Sequence, residues 1–274
     1  MTGRIIECDE ALRLLPAFTE LVAEAGLAIL AIARDALEVT GKSDGSPVTA
    51  ADLAADRVLL DGLARLAPGV TVVSEERCTA GATGTACHVL VDPLDGTKEF
   101  VAGRDEYTVN LALIRAGRPL LGIVGAPALG VIWRGIVGCG AERLTLDASG
   151  GVAQATPIRT RALPATGWVA AVSRSHGDAR TEAFIAGRPG AERRTMGSAV
   201  KFAKVAEGEA DIYPRLAPTS EWDVAAGHAV VEAAGGMVTG ADGQPLVFGA
   251  AADHIVPAFI AWGDPKAAGP AARF

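Results

Sequence analysis

The stretch "VDPLDGTKEF", residues 91–100, decides how the chain is read. The run "HVLV" (88–91) leads into it and predicts a short buried strand. That strand ends on two carboxylates, Asp92 and Asp95, with Pro93 between them. Pro93 lacks a backbone donor and is expected to stop the strand. The Leu94 carbonyl then stands between two acids that repel each other. Gly96 permits close backbone approach. A short helix opened by Thr97 would turn its amides toward an anion. Oxygen ligands beside an anion nest suggest metal-assisted chemistry on a phosphate ester.

Outward from this stretch, Phe18, Val22, Ala25, Ile29, Ile32 and Ala36 recur every three or four residues and predict one helix face. Pro16 fits its first turn, and its end is expected near Gly41. "KSDGSPVTAAD" (42–52) reads as a turn-rich loop entering a second helix. Thr49 and Asp52 have capping-box spacing there, and Ala55, Leu59, Leu63 and Leu66 form the stripe. Strand signals follow at Val70–Ser74, 88–91, Tyr107–Ile114, "LLGIVGAP" (120–127) and "GVIWRGIVG" (130–138). Strands after two helices predict an antiparallel sheet with helices on one face.

After about residue 163 the rhythm alternates. "WVAAVS" (168–173), "ADIY" (210–213), "MVTG" (237–240), "LVF" (246–248) and "AFIAWG" (258–263) read as strands. Ala179–Ile185, Ser198–Val205 and Val224–Ala234 read as helices. A second sheet covered by helices is expected, hence two units, 1–163 and 164–274.

The 274 residues are half hydrophobic, enough for a large core, with net charge −7. That charge argues against a nucleic-acid polymer as partner. Cys8, Cys78, Cys87 and Cys139 form no C-x-x-C pair. Acids near the N-terminus replace a signal core, and no apolar run reaches the ~18 residues of a membrane span. The expectation is a cytoplasmic protein with reduced thiols and no transmembrane segment, a peripheral place at the inner membrane being left open. Oligomeric state is not legible.

Glu75, Asp92, Asp95 and Asp223 each end or begin an apolar element, where side chains can converge. With the Leu94 carbonyl they make an oxygen-rich set suited to Mg²⁺. Blander readings stand beside this one. D-x-x-D can be a solvated turn, Glu75–Glu76 an exposed loop, and Thr49–Asp52 only a cap. Asp223 can simply favour a helix dipole. "DGT" also ends the nucleophile motif of haloacid-dehalogenase-type phosphatases, but Pro93 occupies the nucleophile's position and excludes that reading.

"DPLDGTKEF", "SEE" (74–76) and "WDVAAGHAVVEAAGG" (222–236) together resemble the three motifs of the inositol monophosphatase-like, Mg²⁺-dependent, lithium-sensitive phosphatases. "SPVTAAD", "SRSH" (173–176), "GSAVKFAKVAEGEADIYPR" (197–215) and "PTSEWD" (218–223) resemble more closely the family's 3′(2′),5′-bisphosphate nucleotidases. The resemblance covers nearly the whole chain. It implies an α+β fold layered α/β/α/β/α, with an antiparallel N-terminal sheet and a mixed C-terminal sheet. It implies two or three Mg²⁺ held by Glu75, Asp92, Leu94, Asp95 and Asp223. Asp52, Glu75 and Thr97 take the catalytic places. Leu94, Asp95, Gly96, Thr97 and Asp223 take substrate contacts at the phosphate. Arg215 stands where inositol-type members carry a carboxylate, so Arg215, Lys201, Arg174, His176, Gly197 and Ser198 are the expected nucleotide contacts. Taken singly, Lys201 can be a solvated helix residue, Arg174 a surface ion pair and His176 a loop histidine; His88 and His228 read as structural. The implied reaction is hydrolysis of 3′-phosphoadenosine 5′-phosphate to AMP by metal-activated water, with a role in sulfate assimilation. An inositol or other sugar phosphatase is the alternative, and a non-catalytic nucleotide binder a weaker one.

Overall fold

The computed structural model describes residues 4–32, 40–41, 47–78, 81, 83–188 and 190–268. Helix α1 (Cys8–Leu30) buries Phe18, Val22, Ala25 and Ile29 on one face. It starts well before Pro16, which therefore lies inside the helix and not in its first turn. Asp9 and Glu10 explain the early start, because acids favour the positive end of the helix dipole. The helix also stops early. The amides of Ala31 and Ile32 close it on the carbonyls of Leu27 and Ile29. Gly41 is not its end but part of β1 (Thr40–Gly41), which pairs antiparallel with β2 (Pro47–Val48). Ala36 and residues 42–46 lie outside the described residues. Helix α2 (Ala50–Leu66) opens with the expected capping box at Thr49 and Asp52.

A seven-stranded sheet follows in chain order: β3 (Thr71–Ser74), β4 (Cys87–Asp95), β5 (Thr108–Arg115), β6 (Arg118–Ala126), β7 (Val131–Ile136), β8 (Gly140–Leu146) and β9 (Val152–Ile158). Its pairs are antiparallel except β3–β4, which is parallel. Strands β8 and β9 escaped the sequence reading. β9 is exposed along almost its whole length, so it has no apolar alternation to read.

Helices cover both faces of this sheet, as the layered fold implied by the resemblance requires; the order of elements alone had suggested one face. Val89, Val91, Leu111 and Leu113 pack with α1 and α2. Leu90, Ala112, Ile114 and Val124 pack with α5 (Val200–Ala206) and α6 (Glu221–Ala233). Successive side chains of a strand point to opposite faces, so an unbroken apolar run signals burial on both.

The second sheet is mixed, in the order β11 (Glu192–Met196), β10 (Val169–Ser173), β12 (Ile212–Arg215), β16 (Phe259–Trp262), β14 (Met237–Thr239). β10 runs parallel to β11 and β12; β16 is antiparallel to both its neighbours. Val169, Ala171, Tyr213 and Phe259 face α5 and α6, while Ala170, Val172, Ile212 and Trp262 face α4 (Ala179–Ala186). The layers are therefore α/β/α/β/α. "LVF" is no strand; only Pro245, just before it, bridges to Thr239. The charged edge strand β11 was missed, again for want of an apolar face. A small antiparallel pair joins β13 (Thr219–Ser220), which directly precedes α6, to β15 (Ile255–Val256) later in the chain.

One local feature positions the site. β4 does not stop at Pro93 but runs on to Asp95 through a bulge. Asp92 opposes Asn110 and Asp95 opposes Thr108, so Pro93 and Leu94 together face one residue of β5. A proline without an amide suits such a break in the ladder. In a regular strand, residues three apart point to opposite faces. The extra residue returns Asp95 to the face of Asp92.

Candidate active site

Parallel pairing of Ser74 with Val91 sets Glu75 beside Asp92. Glu75 opens a 3-10 turn, Glu75–Arg77, that follows β3 directly. The buried carboxylate of Asp56 braces this turn, accepting from Ser74 Oγ at 2.5 Å and from Arg77 Nε at 2.7 Å. Asp223 comes from the first turn of α6 and accepts from the Thr219 hydroxyl. Glu75, Asp92 and Asp223 thereby bring one ligand oxygen each to within 4.8 Å of one another. Asp95 lies alongside, accepting from Asn110 Nδ2 and Thr108 Oγ1 at 3.4 Å each.

The crowding shows in the acids themselves. Burial first, then Glu75, Asp95 and Asp223, push the Asp92 carboxyl well above the usual carboxylate range. Desolvation and Asp223 push Asp95 up to about 7, against the opposing pull of Lys201. A divalent cation relieves this repulsion, and an all-oxygen donor set suits a hard one. The residues present therefore fit a divalent metal.

Beyond the bulge, Gly96 takes a left-handed φ of 92° and turns the chain into α3 (Thr97–Val101). The Thr97 hydroxyl lies 3.0 Å from Asp52 Oδ1 and 3.2 Å from the Leu94 carbonyl. The other oxygen of Asp52, Oδ2, accepts the Thr49 amide at 2.8 Å. Asp52 is thus both a helix cap and the partner of Thr97.

Glu75, Asp92, Leu94, Asp95, Gly96, Thr97 and Asp223 line one cavity of about 220 Å³. His176, Ser198, Lys201 and Arg215 line it from the second sheet's side. Lys201 is no solvated helix residue. It is buried, its Nζ lies 2.5 Å from the Ser198 carbonyl, and burial pulls it down to about 8. Arg215 Nη2 reaches the Pro218 carbonyl at 3.3 Å, while its Nε and the Ser198 hydroxyl are buried without a protein partner. Burial, Arg215 and Lys98 push His176 down, leaving a neutral ring 3.5 Å from Lys98 Nζ.

Asp52, Arg174 and Gly197 are not among the residues that line the cavity. Arg174 pairs with Glu106, each about 30% exposed. The Gly197 amide donates to Glu106 at 3.0 Å, and a Cβ there would come within 2.5 Å of the Glu106 carbonyl. Sequence reasoning missed Asp56, Glu99, Glu106, Lys98, Tyr213 and Trp222. Glu99 is buried and accepts from Ser175 Oγ at 2.7 Å, which fastens the "SRSH" loop over the cavity. Inside "TKEFV" it reads as an ordinary helix-surface acid, so the sequence carried no signal for it.

The layered fold and the acid-lined cavity define a class. The model of the inositol monophosphatase family matches residues 11–268, and the chain belongs to that family. It is a phosphoric monoester hydrolase. It is 40% identical over 244 residues to the 3′(2′),5′-bisphosphate nucleotidase CysQ of Escherichia coli K12, covering 88% of this chain and 96% of that one. It is equally similar to the CysQ nucleotidase of Salmonella typhimurium, also 40% over 244 residues. Among solved structures, CysQ from Bacteroides thetaiotaomicron superposes with a TM-score of 0.76 at 32% identity, over 91% of this chain and 97% of that one. Among the described residues, no helix is long and apolar enough to cross a membrane.

Proposed function

We propose that this chain removes the 3′-phosphate of 3′-phosphoadenosine 5′-phosphate, giving AMP and phosphate. One observation carries the reading. A single cavity sets a carboxylate group on one wall against Lys201 and Arg215 on the other. Two phosphates on one nucleoside match such a site, one at the acid wall through metal and one at the cations. The buried, unpartnered Arg215 Nε is a donor awaiting an acceptor. The nucleotidase relatives support the same substrate class.

Glu75, Asp92, Asp95, Asp223 and the Leu94 carbonyl would hold two or three Mg²⁺. Bound there, Mg²⁺ would supply Lewis acidity toward water and the phosphoryl group. The Thr97 hydroxyl orients the attacking water, and Asp52 or Glu75 takes its proton. Gly96 and Thr97 hold the transferring phosphate at the start of α3. Lys201, Arg215, His176 and Ser198 hold the rest of the nucleotide, with Arg174 and Gly197 outside the lining. Attack is in line and needs no covalent enzyme intermediate. On this reading, unit 1–163 supplies most of the metal site and unit 164–274 the nucleotide contacts. Removal of this substrate, a by-product of sulfate assimilation, fits a cytoplasmic role in that pathway.

The test is phosphate release from a panel of 3′-phosphoadenosine 5′-phosphate, adenosine 3′-monophosphate and inositol 1-phosphate, with and without Mg²⁺. The bisphosphate should lead, and only with Mg²⁺. Equal or faster turnover of inositol 1-phosphate overturns the nucleotide reading in favour of the sugar phosphatase.

A further inference from the structure

At the end of the large sheet remote from the cavity, two thiols meet. Cys8 is the first residue of α1, and Cys139 sits in the turn between β7 and β8. They are 131 positions apart in sequence, yet their sulfurs lie 4.0 Å from each other. Cys139 is exposed and Cys8 half-buried, so a small oxidant can reach both; of the other two thiols, Cys78 is half-buried and Cys87 buried, and the short distance between sulfurs singles out Cys8 and Cys139. A disulfide needs about 2.05 Å between sulfurs, so closure asks for roughly 2 Å of approach. The turn can give it. Gly138 and Gly140 flank Cys139 at φ 85° and 112°, leaving it between two residues with wide backbone freedom.

We propose that Cys8 and Cys139 form a reversible intramolecular disulfide on exposure to a low-molecular-weight disulfide such as oxidised glutathione. One protein thiolate attacks the small disulfide, forms a mixed disulfide and expels one small thiolate. The second protein thiolate attacks that bond, closes Cys8–Cys139 and expels the other. The protein loses two protons and two electrons; the small disulfide takes up both and leaves as two thiols.

The bond ties the start of α1 to the hairpin across a loop that contains most of the large sheet. Long closed loops restrict the unfolded chain most, so the oxidised form gains thermal stability. Turnover is untouched. Ile136 registers with Leu121, Leu121 with Leu113, and Leu113 with Val89, which places the hairpin turn at the opposite end of β4 from Asp92 and Asp95.

The experiment treats the whole chain with oxidised glutathione in mildly alkaline buffer, then stops thiol exchange with acid, which adds no mass. Intact mass should fall by about 2 Da, and digestion should yield one peptide joining Cys8 to Cys139. The melting temperature should rise by about 5–10 °C and return on reduction. Cys8→Ser and Cys139→Ser should each abolish mass loss and shift, with phosphate release unchanged. A stable glutathione adduct on Cys139 without closure overturns the proposal. So does a Cys139–Cys139 dimer on a non-reducing gel, an unchanged mass, or the same shift in either serine variant.

Discussion

The two walls of the cavity are built from different kinds of sequence. Asp92 and Asp95 share one bulged strand, Glu75 opens the turn directly after the strand beside it, and Asp223 lies in the first turn of α6 within a short motif. Lys201, Arg215 and His176 come from a helix, a strand end and a loop, each separate in sequence. Electrostatics differ in the same way. The acids are pushed up by burial and by one another, whereas Lys201 is pulled down chiefly by burial. Crowding like charges requires fixed local geometry, so it leaves a compact trace. Placing counter-charges across a cavity needs only that the fold deliver them.

The hardest blow to this comparison falls on the acid wall. Asp92→Asn should lower kcat/KM on the bisphosphate by about a thousandfold or more, since it removes a central ligand charge. The metal-free protein should remain folded and melt no lower, because repulsion falls with the charge. Activity within about tenfold of wild type would falsify the ligand role. On the cation wall the effect should be smaller and selective. A charge-assisted phosphate contact is worth roughly 1.5–3 kcal/mol. Arg215→Ala should therefore cost about ten- to a hundredfold on 3′-phosphoadenosine 5′-phosphate and little on adenosine 3′-monophosphate. Equal losses on both would make Arg215 a structural residue.

This asymmetry also explains what the sequence could and could not disclose. The acid wall was legible because "SEE", "DPLDGT" and "WD" each hold ligand and geometry together. The bulge was not, because Pro93 reads as a stop unless the register of β5 is known. The residue pattern alone did not disclose both helical coats of the large sheet, because strands apolar on every residue fit burial on one face or two; only the motif resemblance implied them. Asp56, Glu99 and Glu106 were invisible for a simpler reason. Each braces a partner from 18 to 91 positions away, and no local pattern encodes that. β9 and β11 were lost because exposed edges need no apolar residues.

A third measurement sharpens the electrostatic half of the comparison. Asp92 and Asp95 have folded pKa values above the unfolded carboxylate value near 3.9. The metal-free fold then holds more protons than the unfolded chain, and their contribution to stability falls as pH rises toward about 7, the value for Asp95. His88, lowered to about 4, acts in the opposite sense over the acidic range, so raw melting curves mix the two. The rise in melting temperature on adding Mg²⁺ cancels the histidine contribution, which both states share. That rise should be small near about pH 5 and several degrees larger near about pH 8, because the ion needs ionised carboxylates. A rise independent of pH would place the ion's binding away from these acids.

The smallest expected effect tests where the cation wall ends. Arg174 was expected to touch the nucleotide; in this structure it does not line the cavity but pairs with Glu106 and donates to the Thr195 carbonyl. Glu106 in turn holds the Gly197 amide. An ion pair this exposed contributes about 0–1 kcal/mol. Glu106 keeps its bond to Gly197 when Arg174 is removed, so the turn before α5 should hold. Arg174→Ala should thus reduce kcat/KM by no more than about threefold, alike on the bisphosphate and on adenosine 3′-monophosphate. A loss beyond about tenfold confined to the bisphosphate would mean that Arg174 leaves Glu106 and enters the cavity with substrate. The wall would then hold one more cation than the present geometry gives it, and its contrast with the preassembled acids would deepen.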